Sequence, residues 1–453
     1  MSNIIIQNGN MCELDLPLKF AQKLYNEFAI RHPNAFYLRT RQRGMQNWDG
    51  KIHYITKTGQ FKIGLLPKVY DMCIEMGIKP KVVDMRQPLP KVSKVVTNIG
   101  KYKLRPEQEK AVKSVINNRV GDTPFHIGVL DYTVNAGKTL IMSSLYLTYK
   151  KQLKTLLITN DSDWLNQARE EFKQYLPGED ITFVQGKVLN WSNFTIGMVQ
   201  SISRNMRFYQ KELSQIDMVL VDEADQGGSK QYQNVITRLF NTRIRIGLSG
   251  TIYMSKLAKD KVKNMNLECF FGKVIAEFKL KDSIKKGYST KTIVKMVPGK
   301  PWYGNWESDC ISYKEIYDDS ITENNTAWTM AYNRLRWNIN QGRYPALVVC
   351  KHIAHCENLY KFFKKKLGDA YNIAYVHVNT PSKLRQQIMR DFREGKIDIL
   401  VSTTIIARGK NFPKLRYLLN AASMDSQEKS IQFLGRLVRT DKSKKKVYLD
   451  DLH

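Results

Sequence analysis

Two successive series of short apolar runs, separated by stretches of helical period, constrain this chain more than any other feature. The first series lies at 156–159, 195–199, 218–221 and 244–248, with helical stretches such as 164–174 between the runs. The second begins near Lys279 and comprises 347–350, 374–378, 397–402 and 416–419. Unbroken apolar runs alternating with helices predict parallel sheets covered by helices, the α/β class. Two such sheets in one chain make a cleft. A length of 453 residues is itself too great for one ordinary core. The expected division is a small α+β domain at 1–98, a first sheet domain at 99–278 and a second at 279–453.

The chemistry sits where the runs end. Residues 134–139 read Val-Asn-Ala-Gly-Lys-Thr, between an apolar run and a helix. Asn135, Ala136 and Gly137 form a turn that lets bare backbone N–H groups approach phosphate oxygens. Lys138 supplies a point charge for the β- and γ-phosphates, and the Thr139 hydroxyl can hold Mg²⁺. The first glycine of the usual pattern is absent, since Tyr132 stands there. The run at 216–220 leads to Asp222 and Glu223, within Val-Asp-Glu-Ala-Asp. One carboxylate can serve the metal and the other the attacking water. Ser249-Gly250-Thr251 follows, and much later Gln432-Phe433-Leu434-Gly435-Arg436-Leu437-Val438-Arg439. Arg436 and Arg439 lie three apart, so on a helix they share a face and could place positive charge on a transferring phosphoryl group. An amphipathic helix with exposed arginines is the bland alternative. The ordered set predicts ATP hydrolysis, with ATP and Mg²⁺ as substrate and cofactor.

The first 98 residues predict a helix over 18–30, short strands at 36–38, 52–55 and 61–63, and a second helix over 68–76. Basic and aromatic residues interleave here: Arg39, Arg41, Arg43, Trp48, Lys51, His53 and Tyr54. They suit either a DNA-contacting face or a half-buried sheet with a basic outer side. The polar, basic stretch 91–102 suits a linker. Lys442 to Lys446 suits a solvated hairpin turn.

Composition narrows the partners. The 72 basic and 42 acidic residues give a formal net charge of +30, which favours a polyanion. No apolar run approaches the roughly 20 residues that span a bilayer, so no membrane role is expected. The six cysteines are scattered and form no disulfide framework, which fits a reducing cytoplasm. Cys350, His352, His355 and Cys356 place four zinc-type ligands within seven residues, but their spacing matches no usual zinc pattern. A strand end followed by the apolar face of a helix is the expected reading.

On these motifs the chain resembles the superfamily-two helicases. It is most similar to the UvsW-type phage group, through Asn47-Trp48-Asp49-Gly50, Leu104-Arg105-x-x-Gln108, Ala136-Gly137-Lys138-Thr139, Asp222-Glu223, Ser249-Gly250-Thr251 and the final Gln-x-x-Gly-Arg-x-x-Arg. The resemblance implies two tandem RecA-like domains with ATP bound between them. It implies that Arg105 and Gln108 form an adenine-reading segment, a glutamine amide being able to pair with adenine's N6/N7 edge. Gln432 would report γ-phosphate occupancy, Arg436 and Arg439 would act as arginine fingers, and Ser249 and Thr251 would couple ATP state to DNA. Thr403, Thr404, Gly409 and Asn411 would fall in the corresponding segment of the second domain, glycine allowing close approach to phosphate. Asn160, Gln200, Ser201, His377, Asn379 and Thr403 would line a DNA channel. Asn160-Asp161 stands where the family has Pro-Thr. Because a carboxylate opposes phosphate, Asp161 either points away or caps the next helix.

The resemblance implies an ATP-driven translocase that unwinds or branch-migrates forked and four-way DNA, working as a monomer in the host cytoplasm. A restriction-enzyme motor subunit is also possible, though no nuclease cluster of acidic residues and lysine is found outside the motor, and two other classes stay open. The literal Asp-Glu-Ala-Asp suits an RNA helicase of the DEAD-box type, though those proteins usually carry Ser-Ala-Thr and a histidine where this chain has Ser249-Gly250-Thr251 and Gln432. A non-catalytic, basic strand-annealing protein is the other.

Overall fold

A computed structural model describes residues 2–42, 44–149, 152–253, 260–298, 313–404, 412–422, 435, 444 and 446–452. The chain forms two compact units, Met1–Lys279 and Leu280–His453. Each is built on a parallel sheet, as the repeated runs predict.

In the first unit the sheet has seven strands. Taking each strand by its first residue, the order is Ile181, Phe194, Thr155, Met218, Ile244, Ile127, Val274, and every neighbouring pair is parallel. The central strands Ile127–Tyr132, Thr155–Thr159, Met218–Asp222 and Ile244–Ser249 are buried along their whole length. Helices on both faces explain why these strands read as continuous apolar runs. The sheet of the second unit has six parallel strands, with Ala346–Cys350 between Ile399–Thr403 and Tyr417–Asn420.

A mixed four-stranded sheet occupies the N-terminal region. Asn3–Ile6 pairs antiparallel with Met11–Asp15 and parallel with Lys81–Asp84. These strands were not foreseen from the sequence. The expected helices appear as Leu18–Glu27 and Leu66–Glu75. The run 36–38 corrects the expectation: it is part of the helix Ala35–Arg41, not a strand. Aromatic residues favour strands, but among the described residues no strand pairs with this segment. Leu38 N donates to Asn34 O at 3.0 Å and Gln42 N to Leu38 O at 3.0 Å. The stretch 91–102 is likewise not a plain linker, since Asn98–Ile99 pairs with Tyr102–Lys103.

The N-terminal sheet and the first parallel sheet share one continuous apolar cluster, running from Ile4 and Phe61 to Val219 and Phe271. One polar strut crosses it. Arg245, second in the Ile244–Ser249 strand, is fully buried. Its guanidinium donates to Gly9 O at 2.6 Å, Asn10 Oδ1 at 2.7 Å and Phe270 O at 3.2 Å. Burial, with Arg86 adding a smaller repulsion, lowers its pKa below the ordinary guanidinium range.

Candidate active site

The phosphate loop hangs between the Ile127–Tyr132 strand and the helix Lys138–Thr148. Two left-handed residues, Asn135 at φ 64° and Gly137 at φ 73°, turn the chain into the helix. Asparagine tolerates that region and glycine enters it freely. The first N–H groups of the helix have no intrahelical acceptor, which together with the helix dipole favours an anion there. Side chains of the helix Pro106–Ile116 and its cap brace the loop from behind. Arg105 Nη2 donates to Asn135 O at 3.0 Å, and Gln108 Nε2 donates to Ala136 O at 2.8 Å. Gln108 Oε1 in turn accepts from Arg105 N at 2.8 Å, and its side chain is buried. Each end of the Gln108 amide thus makes one bond inside the protein, which leaves one N–H and one acceptor lone pair. Lys138 Nζ reaches back to Tyr132 O at 3.5 Å.

Gly137→Ala tests the brace. A Cβ at this position collides with Gln108 Nε2, and φ there is +73°. The expected result is at least tenfold weaker nucleotide binding and a destabilisation above about 1 kcal/mol. Titration calorimetry and unfolding midpoints check it, and wild-type nucleotide affinity would show that the loop does not need this conformation.

The acidic half of the site ends the Met218–Asp222 strand. Asp222 is buried, and its Oδ1 has no hydrogen-bond partner. Burial raises its pKa, opposed by the nearby Lys138 charge and the Glu223 backbone N–H. A buried carboxylate oxygen without a partner fits a cation. Mg²⁺ typically takes one or two carboxylates plus substrate phosphate, not a closed protein cage. Among the described residues no group of three His, Cys, Asp or Glu side chains forms such a cage. Glu223 follows at φ 52°, a left-handed conformation that costs a non-glycine residue about 1 kcal/mol or more. Its pKa is raised to about 7, first by burial and then by Asp222, Asp225 and Asp161, while Lys138 opposes the shift. A carboxylate that titrates near neutrality suits a general base.

The sequence reading gave no role to Asp225, the last acid of Val-Asp-Glu-Ala-Asp. It is buried and accepts from Ser249 Oγ at 2.8 Å. Ser249 Oγ accepts from Thr251 N at 3.1 Å and lies 3.3 Å from Thr251 Oγ1. The acidic segment and Ser249-Gly250-Thr251 are therefore one hydrogen-bonded cluster. Gly250 lets that segment pass close to the phosphate loop, since a Cβ there would stand 3.0 Å from Thr133 Cα and 3.1 Å from Tyr132 O.

The candidate channel residues are more internally engaged than expected. Asn160 donates from its side chain to Gln226, and Asn160 O accepts from Gln200 Nε2 at 3.3 Å. Ser201 Oγ accepts from Gly186 N at 2.9 Å. Asp161 takes the second of its two expected roles. Its Oδ1 accepts from Trp164 N at 3.1 Å, capping the helix Ser162–Tyr175. In the second unit His377 is buried, with Nε2 3.2 Å from Glu357 Oε1, while Asn379 is exposed. Thr403 is buried at the end of its strand.

Cys350 ends a buried strand and Cys356 lies on the buried face of the helix Ile353–Leu367. His355 Nδ1 faces Tyr317 Oη at 3.3 Å. Lys444 departs from the solvated turn expected there: it is buried and donates to Leu415 O at 3.1 Å. Arg43, Gly409, Asn411, Gln432, Arg436 and Arg439 lie outside the described residues.

Residues 101–254 match the family described as type III restriction enzyme, res subunit, and residues 331–441 match the helicase conserved C-terminal domain. The ATP-dependent DNA helicase uvsW of Enterobacteria phage T4 is 21% identical over 88% of this chain and 80% of its own length. The ATP-dependent RNA helicase CHR1 of Candida albicans is 23% identical over 50% of this chain and 33% of its own length. The chain spans 64% and 51% of two further helicase relatives. The DNA-bound ATP-dependent type ISP restriction-modification enzyme LlaBIII shares the fold. It covers 81% of this chain with 29% of its own, at TM-score 0.58 and 16% identity. The two matched domains fall on the two parallel-sheet units, and the ATP-site motifs follow in order: the chain belongs to the superfamily-two helicases, as an ATP-dependent enzyme similar to the UvsW helicase.

Proposed function

We propose that the chain is an ATP-driven DNA translocase that unwinds or branch-migrates forked and four-way DNA. The observation that carries the motor reading is the pairing of a braced phosphate loop with an acidic strand end whose Asp222 Oδ1 lacks a partner and whose Glu223 titrates near neutrality. DNA as the track is supported by the net charge of +30 and by the phage relative named as a DNA helicase.

In this reading Lys138 holds the β- and γ-phosphates, and Thr139 with Asp222 would hold Mg²⁺, which supplies charge neutralisation when bound. Glu223 orients and deprotonates the attacking water. Arg436 and Arg439 supply the remaining positive charge. Ser249 and Thr251, tied to Asp225, transmit the nucleotide state to the strand-gripping residues. Residues 1–98 serve as a DNA-contacting domain, and the protein works as a monomer.

An RNA track is the second reading, favoured by relatives named as RNA helicases. Gly250 speaks against a DEAD-box assignment. The alanine usual at that place would stand 3.0 Å from the phosphate-loop backbone.

The test is steady-state ATP hydrolysis by wild type and Lys138→Ala with no polymer, single-stranded DNA, forked DNA, four-way junctions and RNA. DNA stimulation should be greatest on branched forms, and Lys138→Ala should lose about 10²-fold or more of the rate. Stimulation by RNA alone moves the protein to the second reading. Absence of hydrolysis under every condition would leave a basic binding protein.

A further inference from the structure

The aromatic residues that the sequence offers for DNA stacking are structural in this fold. Trp48 donates its indole N–H to Lys51 O at 2.9 Å and sets its ring edge-on to His32 at 5.7 Å. His53 stacks on Tyr25 at 4.0 Å and bonds Asp49 at 2.7 Å. Tyr54 donates to Asn266 Oδ1 at 3.0 Å. Asp49 also accepts from Lys51 N at 2.9 Å, and Gly50, at φ 78°, brings this turn against Ala35. Asn47-Trp48-Asp49-Gly50 is therefore a frame on which the helix Ala35–Arg41 is mounted.

That helix presents its own aromatics outward. Phe36 is 80% exposed and Tyr37 56% exposed, on a helix that buries only Ala35. Phe36 heads a concavity of about 480 Å³ also lined by Arg31, Arg39, Thr40, Gln46 and Lys51. Arg41 lies over the Tyr37 ring at 5.3 Å. The one carboxylate in the concavity, Asp49, is occupied by His53 and the Lys51 N–H, and the His53 hydrogen bond is the main cause of its lowered pKa. An exposed phenyl ring ordinarily seeks burial. One set among arginines and a lysine, with the local carboxylate turned to the His53 ring and the Lys51 N–H, matches a ligand with a flat apolar face and a negative backbone.

We infer that Phe36 and Tyr37 form a stacking platform for unpaired DNA bases, with Arg31, Arg39 and Lys51 holding the adjoining phosphates. The inference deepens the DNA-translocase reading. It places an unpaired segment, as at a fork or junction, on the N-terminal region, on residues that take no part in the ATP site.

Binding of fluorescently labelled single-stranded, forked and blunt duplex DNA, followed by anisotropy, tests it on wild type, Phe36→Ala, Tyr37→Ala and Arg39→Gln. Each aromatic substitution should weaken single-stranded and forked binding by roughly 5- to 150-fold, the equivalent of 1–3 kcal/mol per stacked base. Abasic substitution in the oligonucleotide should remove the same increment from wild type and none from Phe36→Ala. Arg39→Gln should weaken every form and lower the salt dependence. Polymer-free ATP hydrolysis and the unfolding midpoint should stay at wild type in the aromatic variants. If wild type binds and hydrolyses in a DNA-dependent way but the aromatic variants bind normally, the platform is wrong and the translocase reading stands. Failure of wild type to bind DNA at all overturns both. A larger loss on single-stranded RNA than on DNA would reassign the platform to RNA.

Discussion

Replacing Glu223 by glutamine is expected to slow ATP hydrolysis by roughly 10²–10⁴-fold while leaving nucleotide binding near wild type. Glutamine keeps the shape and the acceptor oxygen but cannot take a proton. Burial first, then the charges of Asp222, Asp225 and Asp161, raise the Glu223 pKa to about 7, against an ordinary value of 4.5. Only the ionised form acts as base, so wild-type kcat/KM should rise with pH through about 7 and then level. The residual rate of the variant should lack that step. A variant retaining a tenth of the wild-type rate would remove Glu223 from the chemistry.

The same shift has a stability consequence of opposite sense to the activity. The folded state holds this proton more tightly than the unfolded chain does. Its contribution is therefore full below about pH 4.5 and is lost as pH rises through about 7. Above pH 7 wild type carries a half-buried, repelled carboxylate that glutamine lacks. Glu223→Gln should then be more stable than wild type at pH 8 without nucleotide, by on the order of 2 kcal/mol. The advantage should disappear near pH 4.5. Urea unfolding at the two pH values reads both outcomes, and equal stability at pH 8 would mean that the charge is solvated in the folded protein.

Arg245→Ala carries the second large effect, this time on folding. Its guanidinium meets three neutral acceptors and no carboxylate, bonding Gly9 O, Asn10 Oδ1 and Phe270 O. Truncation leaves those acceptors buried and opens a cavity where the N-terminal sheet meets the motor sheet. Relief of a buried charge offsets part of the loss, and the net expectation is about 3–5 kcal/mol. For a unit of this size that lowers Tm by roughly 10 °C. Arg245→Lys should recover only a fraction, because an ammonium cannot serve three acceptors with the geometry of a planar fork. A Tm within 2 °C of wild type for Arg245→Ala would show that the apolar cluster alone fastens the N-terminal sheet.

Periodicity and punctuation determined the motor. Continuous runs such as 156–159 and 218–221, short and alternating with helical stretches, read as strands buried on both faces. Gly137-Lys138-Thr139 opens the helix that follows one strand and Asp222-Glu223 ends another, the edge of a parallel sheet where ligands are ordinarily met. The order of these motifs was enough to expect an ATP-dependent enzyme of this superfamily.

What the sequence left open depended on partners distant in the chain. Propensity placed Phe36 in a strand, but among the described residues no strand pairs with it, and local i→i+4 bonds prevailed. The composition offered Trp48, His53 and Tyr54 for stacking, while contacts with Lys51, Tyr25 and Asn266 drew them inward and left Phe36 and Tyr37 outside. That Gln108 also braces the phosphate loop followed only from the Ala136 carbonyl, 28 residues away, coming within reach of its amide. Arg245 lay unnoticed inside an apolar run, because the acceptors that make its burial tolerable come from residues 9, 10 and 270. Short-range periodicity fixes which segments are buried. Which polar group each buried or exposed side chain meets is decided only when the sheets pack.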